Sequence, residues 1–130
     1  MQKGADMKMF ELEKYGKTHK ITVQVASYME GNLAVLLNCW EDGEPEPWNT
    51  LTVNLDLVRP LHCAYIDTNN NGEEILEWIR RNNLAEPTGN SGRSGYCVYP
   101  EYRFHEEVLM ELDPEGYSEY LAEWKMRYGA

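Results

Sequence analysis

Lys20-Ile21-Thr22-Val23-Gln24-Val25-Ala26-Ser27-Tyr28, followed by Leu33-Ala34-Val35-Leu36-Leu37, decides the fold class of this chain. In the first run Ile21, Val23 and Val25 fall on one face of an extended chain, and Thr22 and Gln24 on the other. The second run is continuously apolar, which predicts a central strand covered on both faces. Upstream, Met7 to Tyr15 also alternates and meets the first run across Gly16-Lys17, so the two form a predicted hairpin. Downstream, Leu51-Thr52-Val53-Asn54-Leu55 predicts a fourth strand. Between them Glu41-Asp42-Gly43-Glu44-Pro45-Glu46-Pro47 reads as an acidic, proline-broken loop.

Helices enter in the second half. After a short extended piece, Ala64-Tyr65-Ile66-Asp67, and an asparagine cluster, a helix is predicted from Gly72 to Asn82. Asn71 can cap it, Glu74 stands where a capping-box partner reaches back, and Ile75, Leu76 and Ile79 supply its apolar face. Tyr96 to Phe104 reads as the last strand, with Pro100 marking an edge or bulge. A short helical turn over Glu106 to Leu112 precedes Asp113-Pro114, a cap followed by proline at the first helical position. Tyr117, Tyr120, Leu121, Trp124 and Tyr128 then recur on one broad aromatic face, expected to be core. The fold class is α+β: a mainly antiparallel sheet of four to six strands with two or three helices packed on it. Residues 1–130 form one domain, with 1–6 a loose N-terminal extension.

Composition narrows the function. The 130 residues carry a net charge of −10, from 22 acidic against 12 basic side chains. Direct nucleic-acid binding is disfavoured, because neutralising phosphates takes clustered Lys and Arg. The acidity serves solubility, or imitates nucleic acid and occupies a basic partner. No apolar run approaches the roughly 20 residues of a membrane helix, and the start lacks a secretory signal. A soluble, cytoplasmic protein is expected, with Cys39, Cys63 and Cys97 as free thiols.

No motif reaches catalytic specificity. Asp67-Thr68-Asn69-Asn70-Asn71-Gly72 opens like a calcium loop, but position 12 is Trp78 where a bidentate Glu belongs. The competing reading is a turn whose Asx side chains hold backbone N–H groups. For zinc, Cys39, His62, Cys63, Cys97, His19 and His105 are candidates, yet none shows ligand-pair spacing. No cofactor and no metal are expected.

Pro87-Thr88-Gly89-Asn90-Ser91-Gly92-Arg93-Ser94-Gly95-Tyr96 reads as a glycine-spaced connection from helix to strand. Its spacing fits neither a dinucleotide fingerprint nor a P-loop, and a strand follows it instead of a helix. Gly- and Ser-rich loops held by rigid neighbours are often binding surfaces. Arg93 is its natural anchor. Tyr99, Tyr102 and Arg103 continue the candidate surface, since Tyr and Arg recur at interface hot spots. The candidate binding residues are Thr88, Asn90, Ser91, Arg93, Tyr99, Tyr102 and Arg103. No catalytic residue is assigned.

Several phrases together resemble a known family: Ser27-Tyr28-Met29, Asn32-Leu33-Ala34, Leu51 to Leu55, Ala64 to Asn70, Pro87-Thr88-Gly89 with Gly92 to Tyr96, Tyr99-Pro100-Glu101-Tyr102, and Asp113 to Tyr117. The resemblance is to the bacterial family catalogued as domain of unknown function 4313. It implies a short cytoplasmic protein, often carried on conjugative or phage-like elements, and brings no assigned activity and no catalytic or ligand residues to carry over. On this basis the expected function is a non-enzymatic, macromolecule-binding accessory protein of a bacterial mobile element. An anti-defence or DNA-mimic role suits its charge, with a protein as its partner. Under this expectation the Thr88–Gly95 loop is one contact surface, and the acidic segments Glu41–Glu46 and Glu106–Glu123 a second. The alternative is a small enzyme or ligand-binding domain with a pocket under that loop.

Overall fold

Three two-residue turns organise the strands. In the computed structural model, which describes residues 8–129, β1 (Phe10–Lys14) and β2 (Lys17–Ser27) are joined through Tyr15 and Gly16. Both lie at positive φ, 56° and 74°, as a type I′ turn requires. β3 (Leu33–Glu41) and β4 (Glu44–Thr50) are joined the same way through Asp42 and Gly43, at 55° and 80°. After β5 (Thr52–Val53) and β6 (Cys63–Ile66), β7 (Ala85–Ser94) turns into β8 (Cys97–Phe104) through Gly95 and Tyr96. There Gly95 alone has positive φ, 61°, the demand of a type II′ turn.

The strands pair antiparallel in two four-stranded sheets, ordered β1-β2-β3-β4 and β5-β6-β8-β7. The α+β class and antiparallel pairing stand as read from the sequence, with the strands divided between two sheets. Leu51 is the corner between them. Its N–H donates to Val35 O at 2.9 Å in the first sheet, and its carbonyl accepts from Asp67 N at 2.9 Å in the second. Its side chain is fully buried. One apolar core runs through both sheets, from Ile21, Val23, Val25, Val35 and Leu37 to Ile66 and Phe104.

Among the described residues four helices cover this core: α1 (Thr68–Asn71), α2 (Glu74–Arg81), α3 (Glu106–Leu112) and α4 (Pro114–Arg127). Asp113 opens α4 as predicted, accepting from Gly116 N at 3.1 Å through Oδ1, while its Oδ2 accepts from Val25 N at 2.9 Å. One carboxylate thus caps the helix and fixes it to β2. Tyr117 and Tyr120 are buried, so the leading part of the aromatic face is core.

Two expectations change. The segment 41–47 is not a loop: Glu44 to Pro47 belong to β4, whose place at the sheet edge tolerates Pro45 and Pro47. The helix expected from Gly72 to Asn82 is α2, Glu74–Arg81, whose N-cap is Glu73 with no side-chain cap bond; a separate turn, α1, precedes it and is capped by Asp67, which accepts from Asn70 N at 3.0 Å. Asn71 lies inside α1 and bonds instead to the carbonyls of Thr50 and Asp67. Pro100 does mark a bulge, since the β7–β8 register shift ends at its pair with Ser91; it sits in the interior strand β8, and the β6–β8 ladder ends one residue short of it, at Tyr65–Glu101. A proline has no N–H for the next rung. The expected extension over residues 1–6 lies outside the described residues.

Candidate functional site

The glycine-rich stretch is not a loose connection but a strand. β7 pairs with β8 from Ala85–Phe104 to Ser94–Cys97, with a register shift between Pro87 and Ser91. Pro87 faces Tyr102 and Ser91 faces Pro100, so Thr88, Gly89 and Asn90 together oppose the single residue Glu101. Gly89 takes φ 93° in this bulge, a conformation glycine adopts at little cost.

Glu101 is the node that holds the bulge. Its carboxylate is 1% exposed, and a buried charge must be paired and hydrogen-bonded to be tolerated. Oε1 accepts from Thr88 Oγ1 at 2.7 Å and from Asn90 Nδ2 at 3.2 Å. Oε2 accepts from Arg59 Nε at 2.6 Å. The Arg59 guanidinium in turn lies over the Tyr65 ring, 5.0 Å from its centroid. Burial alone would raise the Glu101 pKa. The bonds from Thr88, Asn90 and Arg59 and the Arg59 charge outweigh that and hold it below the ordinary carboxylate range.

Beneath the strand there is no room for a ligand at Gly92. A Cβ placed there would lie 2.6 Å from Leu55 Cδ1 and 2.7 Å from Tyr65 Cζ. A groove of 430 Å³ does run along the base of the hairpin, lined by Leu76, Arg80, Pro87, Tyr102 and His105 among others, without Arg93 or Tyr99.

The outer side is open. A two-residue turn closes on a hydrogen-bonded pair, Ser94 with Cys97, and such pairs alternate along an antiparallel ladder. The backbone N–H and C=O of Arg93, paired with Val98, therefore point away from β8. Arg93 is exposed, Val98 is 47% exposed, and Tyr96 at the turn is fully so.

The other three sheet edges are managed. β1 has its Glu11 carbonyl capped by Trp78 Nε1 at 2.8 Å. β4 carries Pro45 and Pro47, and β5 is two residues long. Short, proline-bearing or covered edges resist strand addition. Among the described residues, Ser91 to Ser94 is the longer edge left without such protection.

The candidate residues divide accordingly. Ser91 and Arg93 lie on the open edge, while Thr88 and Asn90 turn inward to Glu101. Arg103 is exposed and pairs with Glu86 at 2.7 Å. Tyr99 and Tyr102 are 8% and 9% exposed; they take opposite faces of β8, and of the two only Tyr102 belongs to the core that includes Phe104. The last strand begins at Cys97 and not at Tyr96, where the chain turns, which frees that ring. Sequence reasoning missed Glu101, Arg59 and Tyr96. An acid set among tyrosines, Tyr99-Pro100-Glu101-Tyr102, was the available signal for Glu101.

Elsewhere, the Asp67 carboxylate accepts from Asn70, at 3.0 Å from its N–H and 2.9 Å from Nδ2, so the segment forms the turn with Asx-held backbone that competed with the calcium reading. His62 Nε2 pairs with Tyr117 Oη at 2.8 Å. No described helix is long and apolar enough to cross a membrane.

Comparison with known families adds one match: the family model described as domain of unknown function (DUF4313) aligns with residues 22–124. No curated protein and no solved structure matches the chain.

Proposed function

The chain belongs to the DUF4313 family, and we propose that it is a non-enzymatic accessory protein that binds an extended segment of a protein partner along the outer edge of β7. The observation that carries this reading is the open edge from Ser91 to Ser94, beside the fully exposed Tyr96. Strand addition draws its affinity from backbone hydrogen bonds and its selectivity from neighbouring side chains. Here Arg93 and Tyr96 supply those side chains, and the Glu101 node keeps the edge rigid, which lowers the entropic cost of capture.

The acidic residues form a second, electrostatic surface. Glu41, Asp42, Glu44 and Glu46 surround the β3–β4 turn, and Glu106, Glu107, Glu111, Glu119 and Glu123 line α3 and α4. With a net charge of −10, this surface favours a basic partner and steers its approach. In the bacterial mobile-element setting that the resemblance implies, such a protein acts in the cytoplasm by occupying a host protein built to hold nucleic acid. The test is photocrosslinking from position 96 in extracts of the native host, repeated across a salt series. A partner whose capture is indifferent to salt removes the electrostatic part, and one captured equally well by Arg93→Pro removes the edge.

A further inference from the structure

At the end of the first sheet, away from the hairpin, three donors converge. His19 is two residues before Ile21 on β2, Glu41 is two residues after Cys39 on β3, and Ile21 pairs with Cys39. Alternation therefore puts all three on one face. The His19 ring nitrogen, the Cys39 sulfur and a Glu41 carboxylate oxygen lie within 4.8 Å of one another. His19 and Cys39 are buried, 8% and 4% exposed, and Glu41 closes the cluster from the solvent side.

The tautomer of His19 is set by its neighbour. Nε2 lies 3.2 Å from the Lys14 carbonyl, which only accepts, so Nε2 carries the proton and Nδ1 the lone pair. That lone pair faces Cys39 Sγ at 3.8 Å, and Glu41 Oε2 faces the same sulfur at 3.9 Å. A single S–H thus stands between two acceptors and can satisfy one. A backbone carbonyl behind the distal nitrogen is also how metal-bound histidines are oriented. Tetrahedral zinc, with bonds of about 2.3 Å to sulfur and 2.0–2.1 Å to nitrogen or oxygen, puts its ligand atoms about 3.6 Å apart. The observed separations from sulfur need to close by only a few tenths of an ångström.

From this geometry we propose that His19 Nδ1, Cys39 Sγ and Glu41 form a binding site for a divalent, thiophilic transition ion, zinc being the closest fit. The fourth position belongs to water or to Glu46, which the β3–β4 register sets directly opposite Cys39. On binding, the Cys39 S–H bond breaks, its proton leaves to solvent base, and the thiolate electron pair forms the metal–sulfur bond. Lys17, Glu41 and Glu46 are the charged groups that act on this thiol. One proton released per ion makes the affinity rise with pH. The Trp48 ring, 4.6 Å from His19, gives the site an optical reporter.

The probe is cobalt(II), titrated into the reduced, chelator-treated full chain and followed by absorption and tryptophan fluorescence. Expected are one equivalent bound, the visible bands of four-coordinate cobalt, a near-ultraviolet sulfur-to-cobalt band, and displacement by zinc. Cys39→Ser removes the sulfur band, whereas Cys63→Ser and Cys97→Ser keep it. Glu41→Gln, at an exposed position that leaves the fold intact, weakens cobalt at least as much as the roughly tenfold cost of losing a group behind a ligand. If Cys39→Ser fails to fold, the Glu41→Gln comparison and the cysteine controls decide alone. The proposal is overturned by an absent sulfur band in the parent, by a band that follows Cys63 or Cys97, or by affinity unchanged in Glu41→Gln.

Discussion

Thr88 Oγ1 donates to Glu101 Oε1 across the β7–β8 bulge at 2.7 Å, and this bond turns a glycine-rich stretch into a fixed strand edge. Arg59 completes the node from the other side, so the bulge depends on one buried carboxylate.

Removing that carboxylate strands Arg59, Thr88 and Asn90 without their acceptor. Breaking one partner of a buried pair costs about 3–5 kcal/mol, and Arg59 keeps partial access to water, which places Glu101→Ala near the lower end. Chemical denaturation of the parent and the variant measures the difference. The pH dependence has a definite sign. The folded pKa of Glu101 is depressed, so its stabilisation is present above the unfolded value near ~4.3 and is lost as pH falls through the folded one. Glu101→Gln flattens this acid limb.

Gly92 is required for space and not for backbone conformation. In Gly92→Ala the new methyl meets Leu55 Cδ1 and the Tyr65 ring at 2.6–2.8 Å. Tyr65 is buried under Arg59 and cannot retreat without disturbing the node. Overpacking of this kind costs about 1–3 kcal/mol. Gly89→Ala differs: open space surrounds it, and its penalty comes from the positive φ. Thermal melts of both variants separate the two causes, since a Leu55→Ala background relieves the Leu55 part of the first, with the Tyr65 contact remaining, and leaves the second unchanged.

Asp113 serves two elements at once. Asp113→Ala loses the α4 cap, about 1 kcal/mol, and leaves Val25 N–H without its acceptor, about 1–3 kcal/mol more. Asp113→Asn keeps one acceptor oxygen for one of the two N–H groups and turns a donor NH2 toward the other, and should fall between the parent and the alanine variant in urea denaturation.

Tyr120 gives the alkaline limb. Burial, the leading cause, pushes its phenol up to about 12, even though its oxygen accepts from His62 N at 2.9 Å. A raised phenol stabilises the fold below the unfolded value of ~10, and that contribution is lost as pH rises toward the folded one. Tyr120→Phe should be less stable at neutral pH, having lost the acceptor for His62, and less sensitive to pH between those limits. Denaturation at stepped alkaline pH reads both effects.

The strands of the first half were legible because Ile21, Val23 and Val25 alternate against solvent, and Asp113-Pro114 announced α4 through cap chemistry. β7 was illegible for a physical reason. Its ten residues bury little apolar surface, so no periodicity marks them. They are extended because β8 offers a ladder and Glu101 offers bonds, both distant in sequence. Pro45 and Pro47 misled for a related reason, since proline excludes an interior strand but not an edge. The inward turn of Thr88 and Asn90 depends on a bulge that residue order alone does not place. His19, Cys39 and Glu41 lacked ligand spacing because two strands, not one motif, bring them together.

The most direct measurement places a photocrosslinking residue at position 96 in one protein and at position 15 in another. Tyr15 is the control, equally aromatic, at a turn and 81% exposed. Strand capture by β7 predicts a discrete protein adduct from position 96 in host extracts, weak or absent from position 15, and abolished by Arg93→Pro in a chain that still folds. Equal adducts from both positions, or an adduct from position 96 that survives Arg93→Pro undiminished, would contradict it.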